Sequence, residues 1–211
     1  MQLHTIVATD ISKTLGNKQV LSHINLNLSG GNIYGIVGPN GCGKTMLFRI
    51  LCGLVRPSTG KVFLDGNDIH RNHGSIKMGV IIENSALWPE LSGLENLLYL
   101  SNLNNHITKA DVIGAMERVG LSPNNKLAIR KYSLGMRQRL LVAQAVMEKP
   151  DFLFLDEPTN AIDQDSVAVI REIIHAEAVR GATVLLTSHI TEDISELCSE
   201  IYRMDSGCIL L

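Results

Sequence analysis

The sequence predicts an α/β fold with a parallel sheet and a block of helices inserted into it. Three observations carry this expectation. Apolar runs of strand length alternate with helical stretches, one strand runs straight into a glycine-rich turn that opens a helix, and the middle third of the chain changes from strand to helix signals. Taken in order, Ile24, Leu26 and Leu28 alternate with Asn25, Asn27 and Ser29 as in a half-buried strand, which Gly30-Gly31 ends. Ile33 to Val37 forms a second strand before the turn, and a helix begins near Lys44. Lys61 to Leu64, Asp65-Gly66 and Ile69 read as a hairpin, because Asp-Gly supplies positive φ at little cost. Ser92 with Glu95 makes a capping box that starts a helix through about Leu103. Thr108 starts another that ends at Gly120 and places Val112, Ile113, Met116 and Val119 on one face. Helices thus occupy an insertion of about 85–145, and the core comprises 1–84 and 146–211. Beyond it lie a fully apolar strand from Phe152 to Leu155, a helix from Asp163 to Arg180 and a further apolar strand from Ala182 to Thr187.

Composition narrows the function. The chain has 211 residues, enough for one or two domains that need no disulfide or metal to fold. Nineteen basic residues stand against 21 acidic ones, a formal charge of −2, which gives no reason to expect a surface that coats nucleic acid. Mean hydropathy is +0.13, yet no apolar run approaches the ~18–20 residues of a membrane helix, and the first ten residues lack the pattern of a signal peptide. Cys42, Cys52, Cys198 and Cys208 have no metal-ligand spacing and fit a reducing cytoplasm with free thiols.

The most specific motif is Gly38-Pro39-Asn40-Gly41-Cys42-Gly43-Lys44-Thr45, which satisfies G-x-x-x-x-G-K-[ST] between a strand and a helix. In that context the backbone N–H groups and the helix N-terminus, with Met46 in its first turn, cradle the phosphates of ATP. Lys44 bridges the β- and γ-phosphates, and the Thr45 hydroxyl is a ligand for Mg²⁺. Cys42 either fills a slot for a small residue or, at a helix N-terminus, makes nucleotide binding redox-sensitive. Asp156 and Glu157 follow an apolar strand, at the end where α/β sheets bind ligands. Alone the pair fits helix capping as well as chemistry. With the phosphate loop upstream, Asp156 is expected to hold Mg²⁺ and Glu157 to act as base toward the attacking water.

Further segments select one kind of P-loop hydrolase. Tyr132-Ser133-Leu134-Gly135-Met136-Arg137-Gln138-Arg139 resembles the signature of ABC ATPases, Glu157-Pro158-Thr159-Asn160-Ala161-Ile162-Asp163 resembles their Walker B to D-loop run, and Thr187-Ser188-His189 resembles their switch histidine. The chain therefore resembles the ATP-binding subunit of an ABC transporter from Gly38 to His189. The resemblance implies a P-loop NTPase with a RecA-like parallel-sheet core, an N-terminal antiparallel β subdomain and an inserted helical subdomain, within a single cassette. It also implies a head-to-tail dimer in which each ATP lies between one phosphate loop and Ser133 and Gly135 of the other subunit, with Asp163 as a helix cap, a cross-dimer contact or both. His189 would contact the γ-phosphate or the attacking water.

Departures refine this reading. Leu15 stands where an aromatic residue usually stacks on adenine, so base selection should be weak unless Tyr34 or another side chain substitutes. Leu134 and Met136 replace a glycine and a glutamine of the signature. Gly79-Val80-Ile81-Ile82-Glu83 ends in Glu where the family has glutamine. With the segment Asn84 to Leu97 and the Tyr-Ser-Leu-Gly-Met signature, this resembles the bacitracin-resistance and lantibiotic-immunity group. Glu83 is accordingly a candidate for catalysis and for Mg²⁺, or a tolerated exchange. Residues 83–100, with Trp88 and Tyr99, either dock a transmembrane permease subunit at the cytoplasmic face of the membrane or pack the junction between the helices and the core. The expected function is ATP hydrolysis that powers export of an antimicrobial peptide or similar hydrophobic cargo. The alternatives are a soluble ABC ATPase outside transport and an ATP-gated dimerisation module.

Overall fold

The computed structural model describes residues 3–71, 76–82, 87–104 and 107–210. Two sheets organise the chain. The first is antiparallel in the order β2-β1-β4-β5, from β1 (Thr5–Leu15), β2 (Lys18–Ser29), β4 (Thr59–Leu64) and β5 (Asn67–Asp68). The second has the order β10-β9-β3-β8-β7-β6, from β3 (Ile33–Val37), β6 (Met78–Ile81), β7 (Phe152–Asp156), β8 (Thr183–Thr187), β9 (Glu200–Asp205) and β10 (Cys208–Leu210). It is parallel throughout except where β10 returns against β9. The helices are α1 (Lys44–Leu51), α2 (Gly93–Asn104), α3 (Lys109–Arg118), α4 (Leu134–Val146), α5 (Gln164–Arg180) and α6 (Thr191–Leu197).

The expected punctuation is present. Asp65 (φ 49°) and Gly66 (φ 76°) make the turn between β4 and β5 with two positive φ angles, as a type I′ turn requires. Ser92 and Glu95 exchange hydrogen bonds at the start of α2, Thr108 and Asp111 do so at α3, and Gly120 (φ 67°) follows α3. Val112, Met116 and Val119 are buried, whereas Ile113 is only half-buried.

β1 is an addition. Its register against β2 shifts between Ala8 and Ile11 and twice more before Thr14, and Asp10 takes φ 53°. These bulges break the period of two by which a strand is read from sequence. The β2 strand also begins earlier than its apolar alternation suggests, because Lys18, Gln19 and Leu21 pair with the irregular end of β1.

The parallel sheet is covered on both faces. Phe152 and Phe154 of β7 pack with the antiparallel sheet and α1, while Leu153 and Leu155 pack against α4 and α5. That is why the central strands are apolar throughout. The approach of α4 to the edge strand β6 depends on one residue: a Cβ on Gly79 would lie 2.1 Å from the Ala145 carbonyl oxygen and 2.8 Å from Leu153 Cδ1. Gly79→Ala is therefore expected to destabilise the fold by about 1–3 kcal/mol. Chemical denaturation reads this directly, and an unchanged midpoint would show that α4 can retreat without loss.

Candidate active site

The site is built where β3, β7 and β8 end. Beyond Val37 the chain presses against β9, for a Cβ on Gly38 would stand 2.0 Å from the Met204 carbonyl oxygen. Gly43 (φ 112°) then turns the chain into α1 and caps it with no side-chain hydrogen bond, so the first N–H groups of the helix are not consumed by a capping oxygen. Lys44 is buried, and its ammonium donates to the carbonyls of Gly38 (2.8 Å) and Pro39 (3.2 Å). It folds back over the loop as a cation held by neutral oxygens, free to take an anion. Cys42 is buried in contact range of Gly38, which fits the packing reading of that residue.

Opposite the loop, β7 delivers the two carboxylates. Asp156 accepts from the Thr45 hydroxyl on Oδ2 (2.7 Å) and from the Thr187 hydroxyl on Oδ1 (2.7 Å). Glu157 takes φ 53°, and its N–H donates to Thr187 Oγ1 (3.0 Å). Its Oε2 accepts from the His189 backbone N–H (3.2 Å). Its Oε1 lies 3.2 Å from His189 Nε2 but is a buried oxygen without a hydrogen bond. Burial pushes the Glu157 carboxyl above the usual carboxylate range against the pull of His189, and the neighbouring Asp156 charge adds to the rise.

These groups share one cleft of about 480 Å³, lined by Val20, Asn40, Gly41, Gly43, Lys44, Thr45, Met46, Asp156, Glu157, Asn160 and His189. It combines a free cation, uncapped helix N–H groups, a hydroxyl-carboxylate pair and a basic carboxylate, the donor set of a phosphoryl-transfer site. Thr45 and Asp156 offer hard oxygens to a divalent cation, and Mg²⁺ needs little more from a protein when phosphates and water complete its shell. Val20, Asn160 and Thr187 join the site without having been singled out in the sequence. Thr187 lies beside the expected His189 and Asn160 inside the run from Glu157 to Asp163, but a hydroxyl that aligns two carboxylates has no motif of its own.

Other expected residues lie elsewhere. Ser133 caps α4 by accepting from Met136 N–H (3.1 Å), and Asp163 caps α5 by accepting from Ser166 N–H (2.8 Å). Gly135 joins the two, because a Cβ there would meet Asp163 Oδ2 at 2.7 Å and Ser166 Oγ at 2.8 Å. None of the three lines the cleft. Tyr34 cannot replace a stacking aromatic: it is buried, and its hydroxyl oxygen accepts from Ser29 N–H (2.9 Å). Leu15 is 49% exposed and does not line the cleft, where Val20 stands instead. Trp88 and Tyr99 stack edge to face at 4.5 Å and remain 40% and 50% exposed. Glu83 and residues 84–86 lie outside the described residues.

The chain is similar to known proteins. The family model described as ABC transporter matches residues 21–160. An uncharacterised ABC transporter ATP-binding protein of Bacillus subtilis (strain 168), YybJ, is 42% identical over 96% of this chain and 93% of its own length. The bacitracin transport ATP-binding protein BcrA of Bacillus licheniformis is 35% identical over 97% of this chain and 68% of its own length. The solved dimeric structure of MJ0796, a bacterial ABC transporter cassette, superposes with a TM-score of 0.86 at 22% identity, covering 98% of this chain and 97% of that one.

The raised Glu157 carboxyl has a consequence for stability. An acid whose pKa is higher folded than unfolded binds more protons in the native state, so its contribution falls as pH rises from the unfolded value to the folded one. Glu157→Gln removes that charge and is expected to raise Tm above wild type at pH 7–8, with the gap closing below the ordinary glutamate range near pH 4. Melting curves across this range test it, and a variant less stable at pH 8 than at pH 4 relative to wild type would contradict it.

Proposed function

The chain belongs to the ABC transporter family of ATP-binding proteins, and on that footing we propose that it powers export of an antimicrobial peptide or similar hydrophobic cargo through a separate membrane subunit. One observation carries the hydrolytic part of the reading: Lys44, Thr45, Asp156, Glu157 and His189 converge on one cleft from three separate parts of the chain. The peptide cargo is supported by the similarity to BcrA, a bacitracin transport protein, and to SrtF of Streptococcus pyogenes, a lantibiotic transport protein. Among the described residues no helix is long and apolar enough to cross a membrane, which is consistent with a separate membrane subunit. In this reading residues 83–100, with the exposed Trp88 and Tyr99, dock that permease, and the chain works at the cytoplasmic face of the membrane. The helices of about 85–145 form an insertion in the core.

Within the cleft, Lys44 and the loop N–H groups hold the β- and γ-phosphates of ATP. Thr45 and Asp156 would hold Mg²⁺, which when bound supplies positive charge to the phosphate oxygens. Glu157 Oε1 accepts a proton from water as the water oxygen bonds to the γ-phosphorus and the bond to the β-γ bridging oxygen breaks. His189 orients that carboxylate and faces the departing phosphate. The exposed Ser133 at the α4 N-terminus, away from the cleft, supports a head-to-tail pair, in which that N-terminus of a second copy, with Gly135 and Asp163 beside it, completes the phosphate shell.

Three measurements follow. Lys44→Ala removes a charge-assisted contact of about 1.5–3 kcal/mol, so ATP affinity by calorimetry should fall roughly 10- to 100-fold. Unchanged affinity would remove the loop from nucleotide binding. Glu157→Gln should lower ATP turnover by about 10²–10⁴-fold and collect an ATP-bound dimer in size-exclusion chromatography. Turnover near the wild-type rate would exclude Glu157 as base. With no Phe, Tyr or Trp among the described residues that line the cleft, ATP and GTP should be hydrolysed at similar rates, and a strong preference for ATP would show that the base is read elsewhere.

A further inference from the structure

A second polar cluster lies behind the cleft, and its centre, Asp193, does not line it. Asp193 is in the first turn of α6 and is 1% exposed. Its Oδ2 accepts from two hydroxyls, Thr159 Oγ1 and Ser188 Oγ (2.9 Å). Its Oδ1 accepts from Arg171 Nε (2.7 Å), on α5, whose guanidinium also pairs with Glu196. Thr159 and Ser188 are themselves buried, at 1% and 5% exposure. Each sits within two residues of a cleft side chain: Thr159 follows Glu157 by two, and Ser188 precedes His189 by one.

A carboxylate buried this deeply must fill its acceptor sites or lose the solvation that water gave it. Here it does so with hydroxyls from the two loops that follow β7 and β8, whose last paired residues are Asp156 and Thr187. The Ser188 hydroxyl also accepts from Ile190 N–H (3.0 Å), which fixes the chain on the far side of His189. The Glu157 Oε2 contact to the His189 N–H is 3.2 Å and the His189 ring makes no hydrogen bond to Oε1, so apart from the Thr187 bond to the Glu157 N–H the two loops meet directly at one contact. The strong link runs through Asp193.

We propose that Asp193 is a positioning residue for ATP hydrolysis, clamping the loop of Glu157 to the loop of His189 through Thr159 and Ser188, with Arg171 neutralising its charge. The inference rests on the reading of the cleft as an ATPase site. It assigns to Asp193 the relative placement of base and histidine, on which proton acceptance depends within ~1 Å.

The test compares Asp193→Asn, Thr159→Val and Thr159→Ser with wild type, measuring ATP affinity, turnover and thermal unfolding. Asp193→Asn and Thr159→Val are expected to lower kcat by roughly 10- to 100-fold while ATP affinity, set by the phosphate loop, changes less than about threefold. Thr159→Ser keeps the hydroxyl and should restore most of the rate. Should Asp193→Asn fail to fold, the Thr159 pair carries the test. Wild-type kcat in Thr159→Val would overturn the proposal, as would a rate loss that Thr159→Ser does not rescue. A wild-type chain that binds ATP without hydrolysing it would instead remove the reading on which the proposal rests.

Discussion

The carboxylate of Asp156, held between the hydroxyls of Thr45 and Thr187, is the contact on which the rest of the site depends. Asp156 is 8% exposed, and an ionised carboxylate at that depth costs several kcal/mol unless its oxygens are bonded. Satisfying it ties together the first turn of α1, the end of β7 and the end of β8. The position of α1 in turn fixes the glycine loop, because Lys44 is bonded to the carbonyls of that loop. A hydroxyl has one proton and two lone pairs, and Thr187 spends both kinds: it donates to Asp156 and accepts from Glu157 N–H. One β-branched side chain thereby orients two adjacent carboxylates with different duties.

Different duties need different environments. Asp156 meets two hydroxyl donors, one on each oxygen. Glu157 turns away through a left-handed backbone conformation and leaves one oxygen buried without a hydrogen bond. A non-glycine residue in that region costs about 1 kcal/mol or more, and it persists only where surrounding contacts overdetermine it. The Thr187 and His189 contacts do so from one side and the Asp193 cluster from the other. Strain, burial and an incomplete hydrogen-bond set together describe a carboxylate kept ready to take a proton.

Much of this was legible before any coordinates. The phosphate loop and the Asp-Glu pair each carry their chemistry at fixed offsets along the chain, and of these residues Asn40, Gly41, Gly43, Lys44, Thr45, Asp156 and Glu157 line one cleft. The capping boxes at Ser92 and Thr108 are equally local. What escaped notice depends on partners distant in sequence or on broken periodicity. The β1 strand is hidden by its bulges. Thr187 and Val20 matter through what folds against them, 31 residues from Asp156 in the first case. The suggestion that Tyr34 replaces a stacking aromatic failed because parallel-sheet strands bury both faces, a property of the assembled sheet rather than of one tyrosine.

The signature residues separate into two kinds once the geometry is known. Gly135 is required by the single chain, since any side chain there would collide with Asp163 and Ser166 across the meeting of α4 and α5. Asp163 likewise serves its own helix as a cap. Their presence is explained without a second copy. Ser133 is different: it is exposed, and its oxygen accepts from Met136 while its own proton remains unspent on any protein group among the described residues. A donor left over at an exposed helix N-terminus adds to the N–H groups there as a receptor for an anion. In the proposed dimer, therefore, Ser133 rather than Gly135 reports on the partner's phosphate. A change at Gly135 would disturb the fold of each copy before the two ever met.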